Sequence, residues 1–266
     1  MTFTFDQEVT VRPLGDDRFE AVVTDQWNIG DNPNGGYLLS LIIRALAASL
    51  PHPDPLTITA HYLRRPELGP ATITVQPLRA GRNLSSATVA FVQGGTERIR
   101  AVATFGDLTR SSGLTELRQD RPDLLPPEQC ARRPEGTGPF PPAAELLSRV
   151  DVRLDPTTGW LHGEQSGLAR NDGWTRFADG RPVDTLSLPL FADAFPPAVY
   201  GLVPAAWVPT VELTVHVRAR PAEGWLQGSF ETRYVQNGYH DEDGRLWDSS
   251  GRLVAQSRQL AVLLLP

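Results

Sequence analysis

Two places in this chain, far apart in number, carry residues suited to chemistry. The first is Asn34-Gly35-Gly36, which leads into a run from Tyr37 to Leu50 whose polar interruptions are Ser40, Arg44 and Ser49. Gly35 and Gly36 let a ligand approach the backbone closely, and the open N–H groups at a helix start carry roughly half an elementary positive charge. Such amides suit a developing oxyanion. A glycine turn entering a core helix explains the same residues without chemistry. The second place is Asp193, set among Leu190, Phe191, Ala192, Ala194 and Phe195. Apolar surroundings disfavour the charged carboxylate and raise its pKa toward the working range of a general base. A surface aspartate, or one capping a turn before Pro196-Pro197, is the plainer alternative. No Asp or Glu occurs from Gly35 through Leu50, so the first helix has no counterpart to Asp193. A single asymmetric site follows, with donors from one half of the chain and a base from the other.

The elements around these residues come in two copies. The Tyr37–Leu50 run has no solvent stripe and, at about 14 residues, is shorter than the roughly 20 that cross a bilayer. It must therefore be wrapped by the rest of the chain. After it, LTITAHYLRRPELGPATITVQPLRAGRNLSSATVAFVQGGTERIRAVATF reads as four strands broken by turns. The second half repeats the order, with DTLSLPLFADAFPPAV as the helix and strands from VELTVHVRAR to the end. Arg65-Pro66 and Gly69 are answered by Arg220-Pro221 and Gly224, and Gly81 and Gly94 by Gly238 and Gly251, at offsets of 155 to 157. RFEAVVT and WLHGEQS supply a possible extra strand before each helix. The predicted class is α+β, with two curved antiparallel sheets each wrapped around a buried helix. The predicted units are residues 1–110, a Pro/Gly-rich connector over 111–149 that includes DLLPPEQCARRPEGTGPFPP, and 150–266.

Composition excludes several classes. A net charge of −6 and a pI near 5.4 argue against a nucleic-acid partner. All 25 basic residues are Arg. The lone Cys130 permits no disulfide, and MTFTFDQEVT has neither the basic nor the apolar segment of a signal peptide, so a cytoplasmic location is expected. There is no G-x-S-x-G elbow, P-loop or complete G-x-G-x-x-G. The five histidines lack metal-ligand spacing, His61 and His216 reading as packing or surface residues. Cys130 has no activating neighbour.

Four pieces, NGGYLLSLIIRAL, FADAFPP, WVPTVELTVHVRAR and GRLVAQSRQL, together resemble the type II acyl-CoA thioesterase family, whose fold is the double hotdog. The resemblance spans nearly the whole chain. It implies a long buried helix in each half and hydrolysis by a water held by Asp193, Thr210 and Gln259. Asp193 would be the base, while the two neutral side chains, each able to donate and accept, would orient the water. Gln256 has opposite strand parity to Gln259 and is set aside. Better-known members follow the hydroxyl residue with an apolar residue, Asp and His; here Thr210 is followed by Val211, Glu212 and Leu213. An acyl-CoA substrate would bring phosphates that Arg64, Arg65, Arg79 and Arg82 can grip, with Asn34 and Tyr37 as further substrate-binding candidates. No metal or cofactor is implied, and a homodimer or larger assembly is expected from exposed sheet faces and edges. Two alternatives are an acyl-CoA or lipid-binding protein without turnover, and a hotdog enoyl-CoA hydratase. The latter has a signature that Gly30-Asp31-Asn32-Pro33-Asn34 resembles, but here that stretch lacks the spacer before Asn-Pro and the following His.

Overall fold

The computed structural model describes residues 2–132, 145–157, 165–203 and 207–264. The Tyr37–Leu50 run forms the long helix of the molecule. Helix α1 spans Thr4–Glu8, and α2 spans Gly35–Ser49. Asn34 caps α2, its Oδ1 accepting from Tyr37 N at 2.9 Å. Leu38, Leu39, Leu41, Ile42, Ile43 and Leu46 are all buried, each side chain contributing about 1.5–3 kcal/mol of transfer free energy.

In the first half the strands are β1 (Arg12–Gly15), β2 (Arg18–Val23), the short ribbon β3 (Asn28–Ile29) and β4 (Asn32–Pro33), β5 (Asp54–Tyr62), β6 (Gly69–Ala80), β7 (Ser85–Gln93) and β8 (Thr96–Gly106). In the second they are β9 (Ala131–Arg132), β10 (Val150–Leu154), β11 (Arg170–Phe177), β12 (Thr210–Val217), β13 (Leu226–Glu231), β14 (Val235–Gln236), β15 (Tyr239–Trp247) and β16 (Leu253–Val262). Alternation is strict along β7, whose inward Ala87, Val89 and Phe91 belong to the core around α2.

The order β1-β2-β6-β7-β8-β5-β12-β16-β15-β13-β11-β10-β9, with β14 beside β15, makes one 14-stranded sheet. The two half-sheets join at β5 and β12, where His61 lies opposite Glu212 and Thr59 opposite Thr214. Either side of that seam the topology is the same: β5, β8, β7, β6, β2 and β1 answer β12, β16, β15, β13, β11 and β10. This is the double hotdog arrangement.

The halves differ in their helices. In the second, DTLSLPLFADAFPPAV forms one helical turn, α4 (Leu188–Phe191), and then, past Pro196-Pro197, a 3-10 turn over Ala198–Gly201. Pro189 is tolerated in the first turn of α4, but Pro196-Pro197 cannot continue a helix. The long second helix that the resemblance implies is instead a single turn that ends at Phe191 with Ala192 as its C-cap, and the proline pair beyond it bars any resumption through residues 196 and 197. The strand preceding it is β11; of WLHGEQS, residues 160–164 lie outside the described residues, and Gln165 and Ser166 are not in a strand. The connector contributes β9, paired with β10, and the short helix α3 (Leu146–Arg149). Residues 136–141, the GTGPFP segment, lie outside the described residues. No helix among the described residues is long and apolar enough to cross a membrane.

Candidate active site

The start of α2 meets α4 across the two halves, and glycine is what allows it. A Cβ on Gly36 would lie 2.8 Å from Pro189 O and 2.9 Å from Leu190 Cα, both backbone atoms that cannot swing aside. A Cβ on Gly35 would lie 2.9 Å from Tyr62 Oη and 3.0 Å from Asp193 Oδ2. The need here is close approach rather than a left-handed backbone.

That approach delivers the carboxylate of Asp193 to the N-terminus of α2. Asp193 Oδ2 accepts from Gly36 N and from Asn34 Nδ2, each at 2.9 Å, and Asn34 Nδ2 also reaches the Asp193 carbonyl at 2.9 Å. Asn34 thus caps the helix with its oxygen and holds the aspartate with its nitrogen. Withdrawal from water raises the Asp193 pKa to about 6, against the opposing pull of the Gly36 amide, the Asn34 side chain and the Gly35 amide.

The Gly35-Gly36 reading is corrected at Gly36. Its N–H is taken by Asp193, so it is not open to a substrate carbonyl, and of the pair only Gly35 lines the cavity. The positive end of α2 serves the carboxylate first.

Thr210 and Gln259 reach the same cavity from the sheet. In the pairing of β12 with β16 a bulge falls between Thr210 and Glu212. It places Thr210 opposite Ala261, on the inward face shared by Leu213 and Gln259. A regular strand would have sent Thr210 outward with Glu212. As built, Thr210 Oγ1 donates to Gln259 Oε1 at 3.1 Å. Gln256 lies opposite the exposed His216 on the outer face.

Sequence reasoning missed a fourth polar residue, Glu242. It faces Gln259 across β15 and β16, accepts from Gln259 Nε2 at 3.2 Å through Oε1, and accepts from Ala198 N at 2.6 Å through Oε2. Burial pushes its pKa to about 8, the charge of Asp193 adding to the rise and the Ala198 amide and Gln259 opposing it. A signal existed: Glu242 shares strand parity with Gly244 and Leu246, both buried. Tyr62 is also new to the site. Its hydroxyl donates to Gly35 O at 2.9 Å, and burial, with Asp193 and Glu212 nearby, raises its pKa well above the usual phenol value.

These residues line one cavity of about 380 Å³, within the range of small-molecule sites. Its apolar wall includes Leu38, Leu146, Phe195, Tyr200, Trp207 and Val208. Asn34, Arg64 and Arg65 also line it, Arg65 being anchored by a 2.7 Å bond to Asp31 O. Arg79 and Arg82 do not. Arg79 lies near the far end of β6 and Arg82 in the turn after it, roughly 30 Å along the strand from its start at Gly69, so the substrate-binding reading is corrected for both.

Tyr37 is corrected as well. It is fully buried, stacks on Trp27 with centroids 5.8 Å apart, and points its hydroxyl at Val22 O (3.3 Å), away from the cavity. The helical turn of about 100° per residue gives the cavity to Leu38 instead.

Other singled-out residues lie elsewhere. His61 and His216 are exposed. Cys130 is buried against Leu125 O, and burial pushes its thiol to about 11. Gly30-Asp31 forms the turn between β3 and β4, with Gly30 at φ 59°. No group of metal-ligating side chains occurs among the described residues.

Comparison with known proteins adds a family. Models of an acyl-CoA thioesterase N-terminal domain and C-terminal domain match residues 23–106 and 127–263. An uncharacterized protein of Mycobacterium tuberculosis is 30% identical over 295 residues, covering 99% of each chain. The thioesterase-like protein TwmA of Talaromyces wortmannii is 24% identical over 98% of this chain and 92% of its own. Among solved structures, a putative thioesterase II from Thermobifida fusca aligns with TM-score 0.87 and 30% identity over 98% of both chains. A hot dog fold protein of unknown function from Alicyclobacillus acidocaldarius aligns with TM-score 0.88 and 26% identity over 100% of both.

Proposed function

Because the chain belongs to the acyl-CoA thioesterase family, we propose that it hydrolyses an acyl-CoA thioester by direct attack of water. Asp193 is the base, and Thr210 and Gln259 place the nucleophile. The Thr210 proton is committed to Gln259, so the hydroxyl oxygen presents lone pairs to the cavity. A water there donates one proton to Thr210 Oγ1 and the other to Asp193 Oδ1, which turns its own lone pair toward the acyl carbon. Asp193 takes the proton as the C–O bond forms, and the tetrahedral intermediate collapses by releasing the thiolate. The Gly36 and Gly35 amides at the helix start both steady the Asp193 carboxylate, so neither is assigned to the carbonyl oxygen. Arg64 and Arg65 at the cavity wall suit the phosphates of coenzyme A.

The observation that carries this reading is the meeting of Asp193, Thr210 and Gln259 on one cavity, an acid on one wall and hydrogen-bonded neutral groups on another. A protein that only holds acyl-CoA has no use for a carboxylate kept in surroundings that raise its pKa. A hydratase needs an imidazole, and no histidine is among the described residues that line the cavity.

The test is a panel of acyl-CoAs of graded chain length assayed for free thiol, with wild type beside Asp193→Asn. Wild type is expected to turn over part of the panel, and the variant to lose about 10²–10⁴-fold in kcat. Equal rates reject the base; no turnover of any thioester returns the chain to a binding role.

A further inference from the structure

Thr210 can direct the water only while Gln259 presents its oxygen, not its nitrogen, to the hydroxyl. An amide is nearly symmetric in shape, so packing alone does not choose between the two faces; hydrogen-bond partners do. On one side of Gln259 stands the Thr210 hydroxyl, which can donate or accept and so imposes nothing. On the other stands Glu242, with Oε2 held by the Ala198 N–H and Oε1 left to face Gln259. An ionised carboxylate accepts only, so with Glu242 ionised the Gln259 amide turns its nitrogen to it and its oxygen to Thr210, as the two bonds are built. Burial pushes the Glu242 pKa to about 8, so this arrangement belongs to the pH range above that, and a protonated Glu242 would donate through Oε1 and reverse the amide.

We propose, resting on the hydrolase reading above, that Glu242 is the positioning residue of this site: it fixes the Gln259 amide, and through it the direction of the Thr210 hydroxyl. The chain of donors then runs one way. Water gives a proton to Thr210, Thr210 to Gln259, Gln259 to Glu242, and the Ala198 amide closes the far end. Reversing the amide would give Thr210 a donor as neighbour, free its proton to point at the water, and set the water's lone pair against that proton rather than the acyl carbon. Nothing is transferred through Glu242, which does not touch the reacting atoms.

The test uses polarity swaps of unchanged shape. In Glu242→Gln, one amide must satisfy both the Ala198 N–H and Gln259. Its oxygen goes to the fixed backbone donor, its nitrogen faces Gln259, and Gln259 reverses. Assayed, like the measurements that follow, at about pH 9, where Glu242 of the wild type is ionised, this variant is expected to keep KM within about twofold and lose about 10–100-fold in kcat. In the double variant Glu242→Gln/Gln259→Glu every bond is remade with Thr210 again donating, and at least a tenfold recovery of kcat is expected. Side-chain amide NMR of Gln259 supplies a readout without substrate: its protons should shift markedly between wild type and Glu242→Gln in proteins of matched Tm.

Wild-type kcat in Glu242→Gln, no recovery in the double variant, or an unmoved Gln259 amide signal would each overturn the proposal. If the amide signal moves but wild type cleaves no thioester, the positioning stands and the hydrolase reading is what fails.

Discussion

Aligning the halves by strand register puts Pro55, Ala87 and Ala103 where Thr210, Glu242 and Gln259 stand. Pro55 faces Phe105 as Thr210 faces Ala261, each beside a bulge, and Ala87 faces Ala103 as Glu242 faces Gln259. The same frame, polar in one copy, is apolar in the other. The helices account for this. The 15-residue α2 fills the first sheet, and small alanines at 87 and 103 are what its packing accepts. The four-residue α4 leaves space under β15 and β16, and there the polar set stands around a cavity.

The arginines make the contrast again. Arg65 lines the cavity, whereas its counterpart Arg220 closes the related place by pairing with Asp54 at 3.0 Å, where the buried carboxylate also accepts from Thr185 Oγ1 and Leu108 N. One copy of the frame was left open for a ligand and the other was tied shut.

Asp193→Asn tests the open copy most severely. Beyond the loss of activity, the variant is expected to be more stable at pH 7 by about 1–2 kcal/mol in denaturant unfolding, because a carboxylate whose pKa is raised to about 6 costs free energy when ionised. The sign follows from the raised value: the stabilising contribution is present below the unfolded-state pKa and is lost as pH rises through about 6. For the same reason kcat/KM should fall about tenfold per unit as pH drops below about 6, while Asp193→Asn shows no such limb. A wild-type profile flat from pH 5 to 8 would remove Asp193 as the base.

Gly36→Ala tests the helix crossing on which both copies depend. Overpacking against the α4 backbone should cost about 1–3 kcal/mol, read from the urea midpoint, and disturb Asp193 with it. Arg220→Ala should likewise destabilise by about 1–3 kcal/mol, discounted from a fully buried pair because Arg220 is half exposed, and leave kcat near wild type. Arg65→Ala should do the reverse, raising KM for acyl-CoA severalfold at nearly unchanged stability. If the two arginine variants behaved alike, the open-and-shut comparison would be lost.

Much of the frame was readable. Strand alternation, the paired Arg-Pro and glycine landmarks, and the uninterrupted apolar run of α2 are local patterns with local causes. Asp193 stood out by its apolar flanks. The site's working details were not readable in the same way. A one-residue bulge reversed the parity of Thr210, the second helix stopped after one turn at Phe191, and the placement of Tyr37 and Leu38 depended on where α2 meets its surroundings.

The sequence by itself determined the elements, their duplication and a carboxylate too apolar in its setting to be ordinary, because propensity, periodicity and burial preference act over a few residues. Only the tertiary structure decided that the Gly36 amide belongs to Asp193, that Glu242 stands behind Gln259, and that one of two equivalent places is open. Each of these is a contact between residues brought together by the β5–β12 seam, the α2–α4 crossing or a strand register, and a hydrogen bond has no direction until both of its ends have a position.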